Sequence, residues 1–501
     1  MRFTTRVLAA VAVALVAVAG VLGFYALSQS HSYPCGPQSM VQKTNLAPPV
    51  HFGAVTKYLL PQDRSPNAIA AAPDGSVWFA ELGVPGVAHL YLNGSLVEYR
   101  WPYSYPQSVT SSSGVACSDW TNTWGIAIWD GGIWATNGAS DSIVGLNPLT
   151  DSFQTIHVST GSFPYTLTVG PDDRLWFTQL PFLPEVGSVD PSSHQVTYYP
   201  LPSGTNASAV SITFQNATLG YVLSEFTSSN GGEVFSFNPS ASYISFTLVG
   251  GAEASHIAAP GNGGSVPTGI ALGEGGMWVT EHSTSDMDFY NSNTTQWQTY
   301  PTSSAGYVAV TLPYFDVSNG TAVWFNEHFA NRLAEICCNR TSLTEYSLSN
   351  PPASSISTID NAETIALASD RVWFTEMTAD YVGFVSDSYT PPFSVSLGDN
   401  STIRMLPGST AQIQLKLSGA SPTPLSLAFS DSEQTNGAPK NITFAGPGGA
   451  LSLNSSASGP AGASVTVSAS PKTPPGQYEA LITVTDGLVS RSVYLAIVVA
   501  T

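Results

Sequence analysis

The chain reads as an all-β protein: a seven-bladed β-propeller followed by an immunoglobulin-like β-sandwich, behind an N-terminal transmembrane or signal helix. Three observations lead there. An aromatic-centred unit recurs seven times, at spacings of 42 to 57 residues. Beyond Pro392 that unit gives way to short strands alternating on one side. Ahead of both lies a long uncharged apolar run. The expected divisions are 1–29 signal anchor or signal peptide, 30–49 linker, 50–388 propeller, 389–393 linker and 394–501 sandwich.

Residues Val7 to Leu27 carry no charge, and Arg2 and Arg6 precede them. Basic residues favour the inner side of a membrane, so the body of the chain is expected outside. At about 1.5 Å per residue such a run can span a bilayer. It is longer than the ~7–15 residues of a signal-peptide core, although Ala26 and Ser28 also offer a cleavage site. Uncleaved anchor and cleaved signal both stay open, and both imply an extracellular or cell-surface protein.

The repeat unit begins with a short apolar strand, as in Gly269-Ile270-Ala271, and passes a turn such as Pro73-Asp74-Gly75. It then enters a strand such as Val77-Trp78-Phe79-Ala80-Glu81. A Val-Gly-x-Val strand and a Thr-Glu-Tyr-type strand follow. The central aromatic falls at Trp78, Trp134, Trp176, Tyr221, Trp278, Trp324 and Trp373. This period is that of a four-stranded propeller blade. The Asp-Gly and Gly-Gly turns suit tight hairpins because they tolerate positive φ. The seventh unit ends at Val385 without a fourth strand, while Val55 to Pro61 is a fourth strand without a unit. The N-terminal strand is therefore expected to complete the last blade and leave no open edge.

In the C-terminal part, Ile413, Leu415 and Leu417 alternate with Gln412, Gln414 and Lys416. Val465-Val467, Tyr478 to Val484 and Val493 to Val499 repeat that period between Gly/Pro/Ser clusters. Alternation of this kind suits a two-sheet sandwich.

Lys and Arg total 15 against 34 Asp and Glu, a formal charge of −19, and only 10% of residues are charged. Such a chain has no field for nucleic acid phosphates. The four cysteines, Cys35, Cys117, Cys337 and Cys338, contain no CxxC and read as disulfide staples, with the pairing open. Nine Asn-x-Ser/Thr sequons occur, among them Asn93, Asn216, Asn319 and Asn441. They are permitted glycan acceptors in an exported chain.

The repeat resembles that of the streptogramin lyases, also called virginiamycin B lyases. The resemblance rests on Gly269-Ile270-Ala271, Val372-Trp373-Phe374-Thr375-Glu376 and Thr344-Glu345-Tyr346-Ser347-Leu348, and covers roughly residues 55 to 387. It implies a seven-bladed propeller with C–O lyase activity, opening a cyclic depsipeptide at its ester by elimination. It further implies a histidine base and a bound Mg²⁺ that polarises the carbonyl. The family histidines match Tyr307-Val308-Ala309-Val310 and Ala362-Glu363-Thr364-Ile365, where Val308 and Glu363 stand instead. Glu363 would then be the carboxylate base, and Glu376 lies near the family's last-blade glutamate.

Three constellations stand out, each with a plainer reading. Second-strand ends carry Glu81, Asn137, Gln179, Glu225, Glu281, Glu327 and Glu376. They line a channel mouth or, more plainly, serve the blades themselves. Glu281-His282 and Glu327-His328 each place an imidazole after the repeated glutamate, so a Glu–His pair across neighbouring blades is geometrically open. The plainer account is a satisfied inter-blade histidine. Trp101, Tyr103, Tyr105, Trp120, Trp124, Tyr165 and Tyr314 fall in inter-blade loops or at first-strand starts, as ligand platforms or as packing. The expected catalytic set is Glu281, His282, Glu327, His328, Glu363 and Glu376. The expected partners are a small-molecule, glycan or protein ligand at the propeller face, and a membrane through the N-terminal helix. The other functional class is a cell-surface glycan- or protein-binding propeller with the sandwich as spacer.

Overall fold

The computed structural model describes residues 33–34 and most of 41–501. It leaves out 102–107, 112–113, 118–122, 180–183, 203–207, 228–230, 250–266, 282–285, 304–312, 329, 338–339, 351–361, 399–400, 420, 422–423, 432–441 and 447–460. The expected helix over residues 7–27, Cys35, Cys338, His282, Val308, Tyr103, Tyr105 and Trp120 lie outside the described residues. Among the described residues no helix is long and apolar enough to cross a membrane.

The protein is all-β. Seven sheets each contain an antiparallel four-stranded meander. The first is Pro66–Ala71, Val77–Glu81, Gly86–Leu90 and Ser95–Arg100. The second to fifth open with Ile126–Trp129, Pro164–Val169, Ser208–Asn216 and Pro267–Gly273. The sixth runs Pro313–Ser318, Val323–Glu327, Arg332–Cys337 and Ser342–Ser347. The seventh takes Ala362–Leu367, Arg371–Glu376 and Tyr381–Ser386, then Val55–Leu59 from the N-terminal side. Tyr381 pairs with Leu59 and Val385 with Val55, as the orphan strand in the sequence suggests. First strands pack against one another in cyclic order, the seventh against the first.

Each repeated residue type has a local reason. The tryptophan and phenylalanine of the second strand fill the space between sheets: Trp176, Trp324, Trp373, Phe79, Phe177, Phe325 and Phe374 are all fully buried. Each such ring contributes roughly 1.5–3 kcal/mol of burial. The third-strand glycine makes room for them, since a Cβ at Gly187 would lie 2.1 Å from the Phe177 ring. The threonine works at the inner strand. A β-bulge interrupts that strand after Pro66, Pro164, Pro267, Pro313 and Ala362. The hydroxyls of Thr178, Thr280 and Thr375 accept the N–H groups the bulge frees, from Thr166 (3.2 Å), Gly269 (2.7 Å) and Thr364 (3.2 Å). Thr136 also donates to the Tyr165 carbonyl of the next sheet at 3.0 Å. The first sheet has Ala80 there instead, and Asn67 Nδ2 reaches the Thr123 carbonyl at 2.9 Å to make the joint.

The turn between second and third strands clamps the next connection. Asp380, at φ 54°, accepts the N–H groups of Asp63 (2.8 Å) and Ser65 (2.7 Å). Asp141, at φ 47°, accepts those of Gly161 (2.8 Å) and Phe163 (2.9 Å). A short polar side chain tolerates this left-handed backbone and supplies the acceptor.

Outer edges are covered. Val41–Asn45 pairs beyond Ser95–Arg100 in the first sheet, and Val50–Phe52 beyond Val55–Leu59 in the seventh. The segment thus straps the seam where the ring of sheets closes. On the sixth sheet, Val489–Val499 pairs with Ser342–Ser347, from Ser342↔Val493 to Tyr346↔Val489. Gly476–Thr485 and Ser426–Asp431 continue that sheet. Opposite stands a four-stranded sheet of Phe393–Leu397, Thr410–Gly419, Ala461–Ala469 and Ile442–Ala445. Leu415, Leu417, Val465, Val467, Ile482, Leu495 and Ile497 form the core between the two. The C-terminal part is therefore joined to the sixth sheet, beyond its covalent connection at 389–393. Leu481 and Tyr494 belong to the same apolar cluster as Trp278, Tyr300 and Phe325. Ser430 Oγ donates to the Thr302 carbonyl at 2.8 Å.

Candidate functional site

The repeated second-strand glutamates are buried between sheets. Glu81 is paired with Glu98, and Arg64 lies over both, with Nε 2.6 Å from Glu98 Oε1 and 3.8 Å from Glu81 Oε1. Burial, then the Glu98 charge, pushes the Glu81 carboxyl well above the usual range, against the pull of Arg64 and Arg100. Glu327 repeats this arrangement with Glu345, and Arg332 Nη1 stands 3.7 and 3.6 Å from the two. Burial and Glu345 push Glu327 up as well. In the seventh sheet Lys57 takes the place of the second glutamate. Its Nζ ion-pairs with Glu376 Oε2, and Asn331 Nδ2 donates to Glu376 Oε1 at 2.8 Å. Glu281 is buried in the fifth sheet, opposite Asp286 in register. These geometries fit a strut between strands and sheets.

One joint departs from the repeat. Where four other sheets place threonine, the sixth has Asn326 in Trp324-Phe325-Asn326-Glu327. Its fully buried amide donates to the Ala362 carbonyl at 2.8 Å and the Glu363 carbonyl at 3.1 Å of the seventh sheet. His328, just beyond, brings Nδ1 within 3.0 Å of the same Ala362 carbonyl and 3.3 Å of Glu363 Oε2. Glu363 sits in the bulge of the seventh first strand. Burial raises its carboxyl and the nearby His328 lowers it again. Asn326, His328 and Glu363 thus converge on one point at the start of the first strand. Local rules break most often where a site is built. His328 and Glu363 are legible in the sequence. Asn326 is missed there, though the Thr-to-Asn change within the repeat is its signal.

A fourth departure lies beside them. The first-strand residue opposite the centre of the second strand is Ile69, Ile126, Leu167, Ile212, Ile270 and Ile365 in six sheets. In the sixth it is Asp316, opposite Phe325. Both carboxyl oxygens are buried and make no well-formed hydrogen bond among the described residues. They point at Gly269 of the fifth sheet, where a Cβ would stand 2.6 Å from Oδ1. Burial pushes this carboxyl well above the usual range, although the amides of Ala271 and Asp316 favour its charged form.

The inner strand of the sixth sheet opens at Pro313, paired with Glu327 as Pro66 is with Glu81. The position expected at Val308 is therefore held by Tyr314. The corresponding residues elsewhere are Asn67, Trp124, Tyr165, Thr268 and Glu363. Trp124 and Tyr165 stand with ring centroids 5.5 Å apart at 45°. Trp101 is buried in the packing of the first two sheets instead. The Cys337 sulfur lies 3.3 Å from Ser342 Oγ.

The described residues alone do not make up a divalent-cation site. Among the described residues no three His, Cys, Asp or Glu side chains converge as metal ligands. Glu363 and His328 make only a pair, and Mg²⁺ prefers near-octahedral oxygen coordination.

No protein-family model and no curated protein matches the chain. Among solved structures it is similar to YCF48 bound to D1 peptide, at 8% identity over 68% of this chain and 99% of that one, TM-score 0.43. It is similar to the extracellular domain of the one-component system protein BT4673 from B. thetaiotaomicron, at 11% identity over 89% and 68%, TM-score 0.35. It is also similar to a nidogen/laminin complex, at 10% identity over 51% and 86%, TM-score 0.33. These neighbours are β-propeller proteins, and the likeness concerns the fold alone.

Proposed function

We propose that the chain is an exported binding protein, a seven-bladed β-propeller with an immunoglobulin-like sandwich, held at the cell surface by residues 7–27 or released from it. Its repeat resembles that of the streptogramin lyases. Its mouth, where first strands begin, receives a glycan. The observation that carries this reading is the convergence of Asn326, His328 and Glu363 on one joint, where asparagine replaces the threonine of four other sheets. A carboxylate and an imidazole offer an acceptor and a donor to sugar hydroxyls. Trp124, at the corresponding position of another sheet and backed by the buried Tyr165, offers a ring face for stacking. The test is a glycan and peptide array probed with the purified protein. Glycan retention lost in Trp124→Ala and Glu363→Gln supports the reading; retention of peptides alone replaces the glycan with a protein partner.

A second reading has its own observation. With Nδ1–H directed to the Ala362 carbonyl and Glu363, the neutral His328 ring carries its lone pair on Nε2. That tautomer suits a base. In an ester elimination, a carbon-bound proton would pass to Nε2 as the ester C–O bond breaks, giving a C=C bond and a carboxylate. Turnover of a cyclic depsipeptide, lost in His328→Ala, would establish this reading. No step is assigned to Mg²⁺, for want of a third ligand among the described residues.

A further inference from the structure

We infer that the protein carries N-linked glycans on one face of the ring of sheets, the face opposite the mouth. The four sequon asparagines of the meanders that are described, Asn93, Asn216, Asn293 and Asn319, are all exposed. Asn216 and Asn319 stand in turns between first and second strands. Asn93 and Asn293 stand in turns between third and fourth strands. In an antiparallel meander those two kinds of turn share one end, and the first-strand starts that form the mouth lie at the other. Asn206 and Asn339 fall outside the described residues, and Asn206 lies in the stretch leading into a first strand.

Local geometry prepares these asparagines for transfer. Asn319 Oδ1 accepts the Thr321 N–H and the Thr321 hydroxyl, both at 3.0 Å. Asn216 Oδ1 accepts the Thr218 N–H at 2.8 Å and the Thr218 hydroxyl at 3.0 Å. Asn93 Oδ1 accepts the Ser95 N–H at 2.9 Å. With Oδ1 turned inward, the planar amide directs Nδ2 to solvent. The hydroxyl bonded to Oδ1 stabilises the negative charge that gathers on that oxygen as Nδ2 gives up a proton, and so favours the deprotonated, nucleophilic nitrogen. The donor is a lipid-phosphate-linked oligosaccharide. Nδ2 forms a bond to the anomeric carbon, the bond from that carbon to the lipid phosphate breaks, the lipid phosphate departs with the electron pair, and Nδ2 loses one proton. Tight hairpins recruit Asn for its tolerance of turn geometry, so the same residues that make the turns become acceptors. Modified this way, the protein has a hydrated, sterically crowded face and a bare one, and ligands approach the bare one.

The experiment is glycopeptide mass spectrometry on the full-length protein purified from its source cells, with Thr321→Ala and Thr321→Ser expressed in the same cells. The expected result is oligosaccharide mass on the Asn93, Asn216, Asn293 and Asn319 peptides. Occupancy of Asn319 should vanish in Thr321→Ala and persist in Thr321→Ser. Melting curves of the two variants separate lost modification from lost folding. Unmodified peptides at all four positions, or oligosaccharide confined to Asn206, overturns the inference. Neither result bears on glycan binding at the mouth.

Discussion

Replacing Asp316 by leucine should make the protein more stable. The position is apolar in the six other meanders, Ile69, Ile126, Leu167, Ile212, Ile270 and Ile365. Both carboxyl oxygens are buried without a well-formed hydrogen bond among the described residues, with only the backbone amides of Ala271 and Asp316 facing them. Leaving such a group unsatisfied costs about 1–3 kcal/mol. Leucine removes that cost and adds burial, while crowding against Gly269 takes back about 1 kcal/mol or more. A net gain of about 2 kcal/mol follows, or a rise of about 2–5 °C in Tm. The pH dependence is the sharper test. This carboxyl is raised above its ordinary value of 3.8 by burial. Its favourable protonation in the folded state is therefore fully present below that value and lost as pH rises through the folded pKa. The gap between variant and parent should widen from pH 4 to pH 9, read by calorimetry at both ends. A less stable variant, or a gap independent of pH, would show that Asp316 has a partner this reasoning lacks.

Four further outcomes are expected. Thr280→Val removes the acceptor of the Gly269 N–H and should cost about 1 kcal/mol in denaturant unfolding. Ending the chain near Ser388 strips the sixth sheet of its Val489–Val499 neighbour and exposes an unpaired edge; size-exclusion chromatography should show concentration-dependent association, whereas a monomer with unchanged Tm would make the C-terminal part a free appendage. Burial lowers His89 to about 4. Its stabilising neutral form is present above 6.5 and lost as pH falls towards 4, so His89→Gln should flatten the acid limb of the stability curve. Burial raises Glu479 to about 7; stability is then lost as pH rises from 4.5 through 7, and Glu479→Gln should remove that slope.

The repeat, its strand order and the origin of the last fourth strand were legible because each depends on local chemistry: Trp and Phe for burial, Gly for close approach, Asp-Gly for the turn. That the repeated glutamate serves the blades was legible from its recurrence, but its partners Glu98, Arg64, Glu345 and Lys57 were not, since they come from other strands or connections. The start of the sixth inner strand was misplaced at Tyr307 because spacing carries no mark of where the chain re-enters a sheet. His328 and Glu363 were visible as unusual residues, but only the fold brings them within 3.3 Å. The pairing of Val489 with Tyr346 joins residues far apart in the chain, and alternation alone names a buried face without naming the neighbour on the edge.

The central claim is that the joint between the sixth and seventh sheets departs from the repeat in order to hold a ligand. A repeat-restoring variant tests it directly: Asn326→Thr, His328→Leu and Glu363→Thr, the residue types that other sheets carry at these positions. The measurement is glycan-array retention of this variant beside the parent, with Tm recorded for both. The account predicts a Tm no lower than the parent's and retention reduced at least tenfold. Undiminished retention by a folded variant would contradict it and move the ligand site elsewhere on the ring.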